Sequence, residues 1–283
     1  MDISVVICTR NRAKHLPQML ETLRHIVAPG MSWEVVFVDN GSTDATAQIL
    51  NDFCDGFAGS ARVIHETRPG LSVARNQGWK ASRGNIVCFT DDDCYPNPDW
   101  LVMAKHILDD ADTSYVGGRV LLYDQNDAPV TIQTLEETIV FRKNMHIESG
   151  YIMGANFSCK KAVLEATGGF DERLGAGTSM RSGEDTDLLV RASLLGFEGR
   201  YDPRVVVYHH HRRQRRTEVK KLYSGYAYGR GALSMKTILE SKAKTLYLKN
   251  WYWRMRILLR ERKFNQCFNE IKGAIRFIAI SKF

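Results

Sequence analysis

Ile86-Val87-Cys88-Phe89-Thr90-Asp91-Asp92-Asp93-Cys94 is the stretch on which the rest of the chain turns. The apolar run from Ile86 to Phe89, bounded by Gly84-Asn85 and Pro96, predicts a short buried strand. It feeds straight into three consecutive carboxylates. Like charges at the end of a buried strand repel and raise one another's pKa. A hard divalent cation relieves that cost, and oxygen ligands suit Mg²⁺ or Mn²⁺. A solvated acidic turn is the plain alternative, and both stay open on this stretch alone.

The residues upstream set the strand in a pattern. Ile3–Cys8 predicts a first strand, followed by the polar turn Thr9-Arg10-Asn11-Arg12. Leu16, Leu20, Leu23 and Ile26 or Val27 then recur at helical spacing until Pro29-Gly30. Trp33–Val38 predicts a second strand running into Asp39-Asn40-Gly41-Ser42-Thr43-Asp44, with Asp44 placed to cap a helix carrying Ala47, Leu50 and Phe53. A third strand is expected at Ala61–His65 and a third helix from Gly70 to Ser82. Alternating strands and helices with short connections predict an α/β fold, a mostly parallel sheet with helices on both faces. Right-handed crossovers carry the strand ends to one edge, where such sheets bind their ligands. Loops 9–12, 39–44, 67–75 and 91–94 are therefore expected to line one crevice, with Asp39 beside the aspartate triplet.

Downstream the pattern is looser. A helix is expected around Trp100–Leu108, a strand at Ser114–Leu122, and a helix over Thr134–Lys143 inside the polar segment 123–150. Ile152–Phe157 predicts a strand leading to a helix at Lys160–Ala166, closed by Gly168-Gly169. After the glycine-bearing loop Gly175–Gly183, a helix Glu184–Leu195 should turn Leu188, Leu189, Ala192 and Leu195 inward. Strands at Phe197–Tyr201 and Val205–Tyr208 follow, the second ending in His209-His210-His211, which must alternate faces.

Charge divides the chain. Residues 1–211 carry 20 Lys and Arg against 28 Asp and Glu, whereas 212–283 carry 19 against 4, within a net charge of +7 over 283 residues. That predicts a catalytic region 1–211 and a basic, aromatic-rich helical extension 212–283 facing an anionic surface. Trp251, Tyr252 and Trp253 beside Arg254, Arg256 and Arg260 are the mixture expected at a lipid headgroup interface, and packing on the catalytic region is the alternative. No nucleic-acid motif accompanies the charge. Six cysteines without CxxC spacing predict free thiols in a reducing compartment. An immediate strand-like start and the lack of any apolar run near ~20 residues predict no signal peptide and no membrane span. The expected location is cytoplasmic, peripheral on the inner face of the cell membrane.

The strings VVICTRNR, FVDNGSTD, GLSVARNQG, FTDDDC, MGAN, GGFDERLG, GEDTDLLVRA and VVVYHHH, in that order over about residues 1–211, resemble a family 2 glycosyltransferase with the GT-A fold. The resemblance implies inverting transfer from a nucleotide diphosphate sugar, a UDP-sugar foremost, to a hydroxyl of a glycan or lipid-linked acceptor. Surface or secreted polysaccharide synthesis is the implied setting, with Mn²⁺ or Mg²⁺ as cofactor. It implies that Thr9, Arg10 and Asn11 border the nucleotide and that Asp39 meets base or ribose. Asp91 and Asp93 match the ends of a DxD-type motif, Asp93 on the metal and Asp91 on ribose or metal, with Asp92 between them beside the nucleotide. His209, or one of its two neighbours, completes the metal site. Asp185 matches the base that takes the acceptor proton, Glu184 orients the acceptor, and Gly154-Ala155-Asn156 borders the transferred sugar. Arg75 is placed to touch phosphate. The competing readings are a sugar nucleotidyltransferase and a catalytically idle sugar- or membrane-binding module. The first fits poorly, because the 9–12 turn has no glycine.

Overall fold

The computed structural model describes residues 1–281. Its first half is the predicted alternation: β1 (Ile3–Thr9), α1 (Leu16–Arg24), β2 (Trp33–Asp39), α2 (Thr46–Gly56), β3 (Ser60–His65), α3 (Leu71–Ala81) and β4 (Ile86–Asp91). Then come β5 (Cys94–Pro96), α4 (Trp100–Leu108), β6 (Tyr115–Leu122), β7 (Ile139–Phe141), β8 (Phe157–Lys160), α5 (Lys161–Thr167), α6 (Glu184–Leu194) and β9 (Gly199–His209). The chain ends in α7 (Arg216–Glu240), α8 (Lys244–Arg260) and α9 (Phe264–Ser281).

The strands form one sheet in the order β3-β2-β1-β4-β8-β6-β9-β5, with β7 on β9. β1, β2, β3 and β4 run parallel, and β8 is antiparallel to both β4 and β6. Side chains alternate across each strand, so both faces are apolar. Ile3, Val5 and Ile7 pack with α1, α2 and α4, while Val6, Val87 and Phe89 pack with α3, α5 and α6. This three-layer arrangement is the expected α/β class.

Five local expectations are corrected. No helix forms at 134–143; Ile139–Phe141 instead pairs antiparallel with β9, and the Tyr201 hydroxyl donates to Leu135 O at 2.7 Å. Tertiary pairing of β-branched residues overrides a weak helical pattern there. Gly154–Asn156 is a tight 3₁₀ turn rather than strand, with Asn156 N donating to Met153 O at 2.9 Å. The two strands expected after Phe197 are one, because a bulge between Gly117 and Arg119 of β6 takes up the irregularity around Pro203. Leu195 caps α6 and is 56% exposed rather than inward. Helix α1 also stops at Arg24, short of Pro29, leaving Val27 exposed.

The C-terminal helices are close-packed. A Cβ on Gly231 would lie 1.8 Å from Glu270 O, and one on Gly273 would lie 1.9 Å from Tyr228 O. Only glycine lets the α7 and α9 backbones touch in this way. Glu270, fully buried, binds the three helices together by accepting from Arg230 Nε at 3.2 Å, Arg254 Nε at 2.8 Å and Trp251 Nε1 at 3.2 Å. Trp251 and Arg254 therefore face inward, and not toward the interface expected for them. Leu233, Ala232 and Phe277 pack on Leu174 and Met180 of the loop before α6, so these helices rest on the α/β region. Lys282 and Phe283 of the extension lie outside the described residues.

Candidate active site

The register aligns Thr9 with Asp39 and Cys8 with Asp91, so β1, β2 and β4 end together. A cavity of about 540 Å³ opens at that edge. Thr9, Arg10, Arg75, all three aspartates of the triplet and His209 line it together with Gly154, Ala155, Glu184 and Asp185. Loops far apart in sequence thus meet as the strand pattern requires.

Three expected site residues are elsewhere. Asn156 is fully buried: its amide donates to Arg119 O and Val205 O, both at 2.9 Å, and accepts from Trp100 Nε1 at 2.9 Å. That amide ties β6, β9 and α4 together and does not face the cavity. Asn11 accepts from Thr43 N at 2.7 Å, joining two loops. Asp39 is buried beside the cavity wall, accepting from Ser42 N at 3.0 Å with its other oxygen 3.4 Å from His65 Nδ1. Its neighbour Asn40 lines the cavity instead.

The cationic centre is Arg75, only 3% exposed. One nitrogen donates to Glu184 Oε1 at 2.9 Å and the other to Asp91 Oδ1 at 3.0 Å. Gly154 explains why it fits. A Cβ there would fall 2.6 Å from a guanidinium nitrogen, so the glycine is a seat for Arg75 and not simply room for a sugar. Burial, and then the adjacent Asp185 charge, push the Glu184 carboxyl up to about 7 against the pull of Arg75. The same pair instead drives Arg75 further into its charged form, since Asp91 and Glu184 together outweigh its own burial. We hold to the charged guanidinium, because it has two carboxylate partners where Glu184 has one cation and a like charge. Gly154→Ala is expected to keep the fold and displace Arg75, lowering nucleotide-sugar affinity roughly tenfold. Calorimetric titration of the donor into folded variant checks this; unchanged affinity would remove the seat.

Asp185 sits in the first turn of α6, half-buried. Its Oδ2 accepts from Gly154 N at 3.1 Å and its Oδ1 from Thr186 N at 2.6 Å. Gly154 thus touches the cation with its Cα side and the carboxylate with its N–H.

Opposite lie Asp92 and Asp93, both 7% exposed. Arg12, inside the predicted 9–12 loop but not singled out, bonds Asp92 Oδ1 through Nε and Asp93 Oδ2 through Nη2, each at 3.1 Å. Burial lifts the Asp92 carboxyl to about 6 despite Arg12. Asp93 is held down to about 2, because bonds from His209 and then Arg12 overrule its burial. Of the three histidines only His209 reaches the triplet, with Nε2 3.3 Å from Asp93 Oδ1. His210 turns to the Tyr95 hydroxyl, and His211 to Ala128 O.

The donor set fits a divalent ion. His209 Nδ1 lies 3.1 Å from Thr131 O and donates to it, which turns Nε2 toward Asp93. Burial is outweighed by the Asp93 bond, which raises the His209 pKa and favours a proton on Nε2 that a cation can replace. Two acceptors face each other there unless a proton or a cation lies between them. Carboxylate and imidazole together suit Mn²⁺ or Mg²⁺. Cys94 Sγ also lies within reach, but burial first, and then the Asp93 charge, raise its thiol well above the usual range, so it stays protonated.

The extension adds Arg213, Tyr226 and Arg230 to the cavity wall. None was assigned to the site from the sequence, where Arg213 and Tyr226 read only as members of the basic, aromatic-rich extension; the one available signal was that Arg213 follows the histidine run closely.

A family model described as glycosyl transferase family 2 matches residues 4–166, more than half of the chain. The chain belongs to glycosyl transferase family 2. This family 2 chain is 27% identical over 175 residues to glycosyltransferase AglE of Haloferax volcanii, a match covering 62% of the chain and 58% of AglE. It is 26% identical over 220 residues to the probable glycosyltransferase YdaM of Bacillus subtilis, covering 73% and 50%. The chain spans about half the length of the curated relatives it matches. Among solved structures, it resembles the mannosyltransferase PcManGT from Pyrobaculum calidifontis with a TM-score of 0.69 at 18% identity, covering 98% and 86%. S. aureus TarS gives 0.63 at 20%, covering 86% and 40%. These likenesses bear out the GT-A fold, and none of the matches favours a nucleotidyltransferase or an idle module.

Proposed function

We infer that this chain transfers a sugar from a nucleotide diphosphate sugar, a UDP-sugar foremost, to a hydroxyl of a glycan or lipid-linked acceptor, with inversion. Residues 1–211 would form the catalytic unit and 212–283 its docking extension. The observation that carries this reading is the opposition of Asp185 to the Asp91–Asp93 and His209 group across one cavity, with Arg75 between them. An S. aureus TarS structure holds UDP-GlcNAc and the PcManGT structure holds GDP-Man and Mn²⁺, which supports a nucleotide-sugar donor and a divalent ion.

Asp185 takes the proton of the attacking hydroxyl, held at the correct angle by Gly154 N–H and Thr186 N–H. Glu184 fixes Arg75 and, through it, Asp91. Arg12 and Arg75 offer guanidinium groups to a diphosphate. Asp93 and His209 would hold the metal ion, which when bound stabilises the charge developing on the leaving group. The test is release of nucleoside diphosphate from a panel of nucleotide sugars, with Mn²⁺ and then EDTA. Chelation is expected to lower the rate by roughly 10²-fold or more. Turnover that ignores EDTA, or consumption of a nucleoside triphosphate, would overturn the assignment.

Among the described residues no helix is long and apolar enough to cross a membrane. Helices α8 and α9 nevertheless expose Tyr252, Trp253, Ile257, Phe264, Phe268 and Ile275. Basic groups lie among them, Arg256 4.9 Å above the Trp253 ring and Lys272 4.3 Å above that of Phe268. This face suits peripheral contact with an anionic membrane, consistent with synthesis of a surface or secreted polysaccharide at its cytoplasmic side. Exchanging Trp253, Ile257 and Phe268 for Ser should weaken sedimentation with anionic vesicles roughly tenfold or more. Equal sedimentation of a folded triple variant would remove membrane contact.

A further inference from the structure

A second cavity of about 360 Å³ adjoins the first, walled by Arg181 of the loop before α6 and by residues between Arg213 and Tyr226 at the start of α7. Arg181, Arg213 and Tyr226 belong to both walls, so the second space lies next to the first on its Asp185 side. Arg12 and Arg75 line only the first cavity, and Lys221 lines only the second.

Its charge is unbalanced. With ion pairs counted to 4.0 Å, Arg181, Arg213 and Lys221 have no carboxylate partner among the described residues. The one acid in the wall, Glu218, accepts from Arg215 N at 3.0 Å and Gln214 N at 3.3 Å through a single oxygen and offsets only one of the three positive charges. Arg181 is also not a loose surface arginine. Its backbone is left-handed, at φ +70, and its guanidinium lies 4.6 Å over the Tyr228 ring, which holds it at the cavity mouth. A neutral glycan would leave a surplus of two positive charges facing it, and a single carboxylate answers one arginine fork. A phosphodiester brings two charged non-bridging oxygens, and the next phosphate of a polyol-phosphate chain or a lipid diphosphate brings two more, so together they answer all three.

We propose that this second cavity holds a phosphate of the acceptor. The acceptor is then either a polyol-phosphate chain or a glycan carried on a lipid phosphate, with its reacting hydroxyl delivered to Asp185. The proposal rests on the transferase reading above.

Titration calorimetry on the full chain tests it with four probes: a glycerol-phosphate oligomer, a short-prenyl diphosphate sugar, a neutral oligosaccharide and a uronic-acid oligosaccharide. At least one phosphorylated probe is expected to bind, losing affinity as salt rises. Arg181→Gln with Lys221→Gln should weaken that probe roughly tenfold or more, and Lys221→Arg should restore it in part. Nucleoside diphosphate binding should be unchanged in Lys221→Gln alone, because Lys221 lines only the second cavity. The phosphorylated probe that binds identifies the source. Equal binding of the neutral probe, binding of the uronic-acid probe alone, or indifference to the double variant would overturn the proposal. Lost nucleoside diphosphate binding in Lys221→Gln alone would do so too, by placing this cation on the donor. A wild-type chain that binds no nucleotide sugar would instead sink the transferase reading.

Discussion

Asp185→Asn is expected to bind donor nucleotide sugar about as tightly as the native chain, yet to transfer roughly 10³-fold more slowly. The amide has the shape of the carboxylate but no basicity, so the acceptor hydroxyl keeps its proton as it attacks. The substitution also has a structural cost. Asp185 accepts on both oxygens, from Gly154 N and from Thr186 N. An amide offers one acceptor and must turn its NH₂ toward one of those N–H groups. A stability loss of about 1 kcal/mol follows from that clash, too small to explain a thousandfold loss of rate. Single-turnover transfer with donor bound in advance separates the two effects. A variant that transfers at the native rate would mean that Asp185 only positions Gly154, and that the proton goes elsewhere.

Much of this site could be read in the chain because strand ends are periodic and β-α connections are short. Asp39, Asp91 and the 9–12 loop come to one edge by topology alone, whatever their side chains do. Side-chain roles were less legible. Asn156 lies one residue beyond two cavity-lining neighbours, but the 3₁₀ turn rotates it into the core, where three bonds use up its amide. No local pattern encodes that rotation. Gly154 was readable as small, but not as the seat of Arg75, because the contact spans residues far apart in sequence. The aromatic and basic run at 251–256 alternates around a helix, and hydropathy does not mark which members a buried Glu270 will claim. Trp251 and Arg254 went inward, while Tyr252, Trp253 and Arg256 stayed out.

The aspartate at 187 carries a further consequence that spacing alone would not show. Lys236 of α7 is 5% exposed and reaches two carboxylates, Asp171 at 3.0 Å and Asp187 at closer range. Asp187 is also held by Arg191 Nε at 2.8 Å, and Asp171 by Arg173, which in turn grips Glu240 at 2.8 Å. The cluster therefore fastens α7 to the first turn of α6, where Asp185 sits. Lys236→Met keeps the length and the apolar stem but strips one cation from two buried acids. Breaking a buried pair from one side costs about 3–5 kcal/mol. Each acid keeps an arginine, so the low end applies, about 3 kcal/mol, or on the order of 10 °C in Tm. Differential scanning calorimetry measures it, and a loss under about 1 kcal/mol, the scale of an exposed pair, would show the cluster to be ornamental. Acid gives a second signature. Burial would raise the Asp171 carboxyl, but bonds from Arg173 and the charge of Lys236 hold it well below the usual range. Its folded value is thus below its unfolded value, so its contribution is whole above about pH 4 and drains away as pH falls further. The native chain should lose stability more steeply than Lys236→Met in that acid window, because the variant has less of the contribution to lose. Parallel acid profiles for the two chains would assign Lys236 a packing role only.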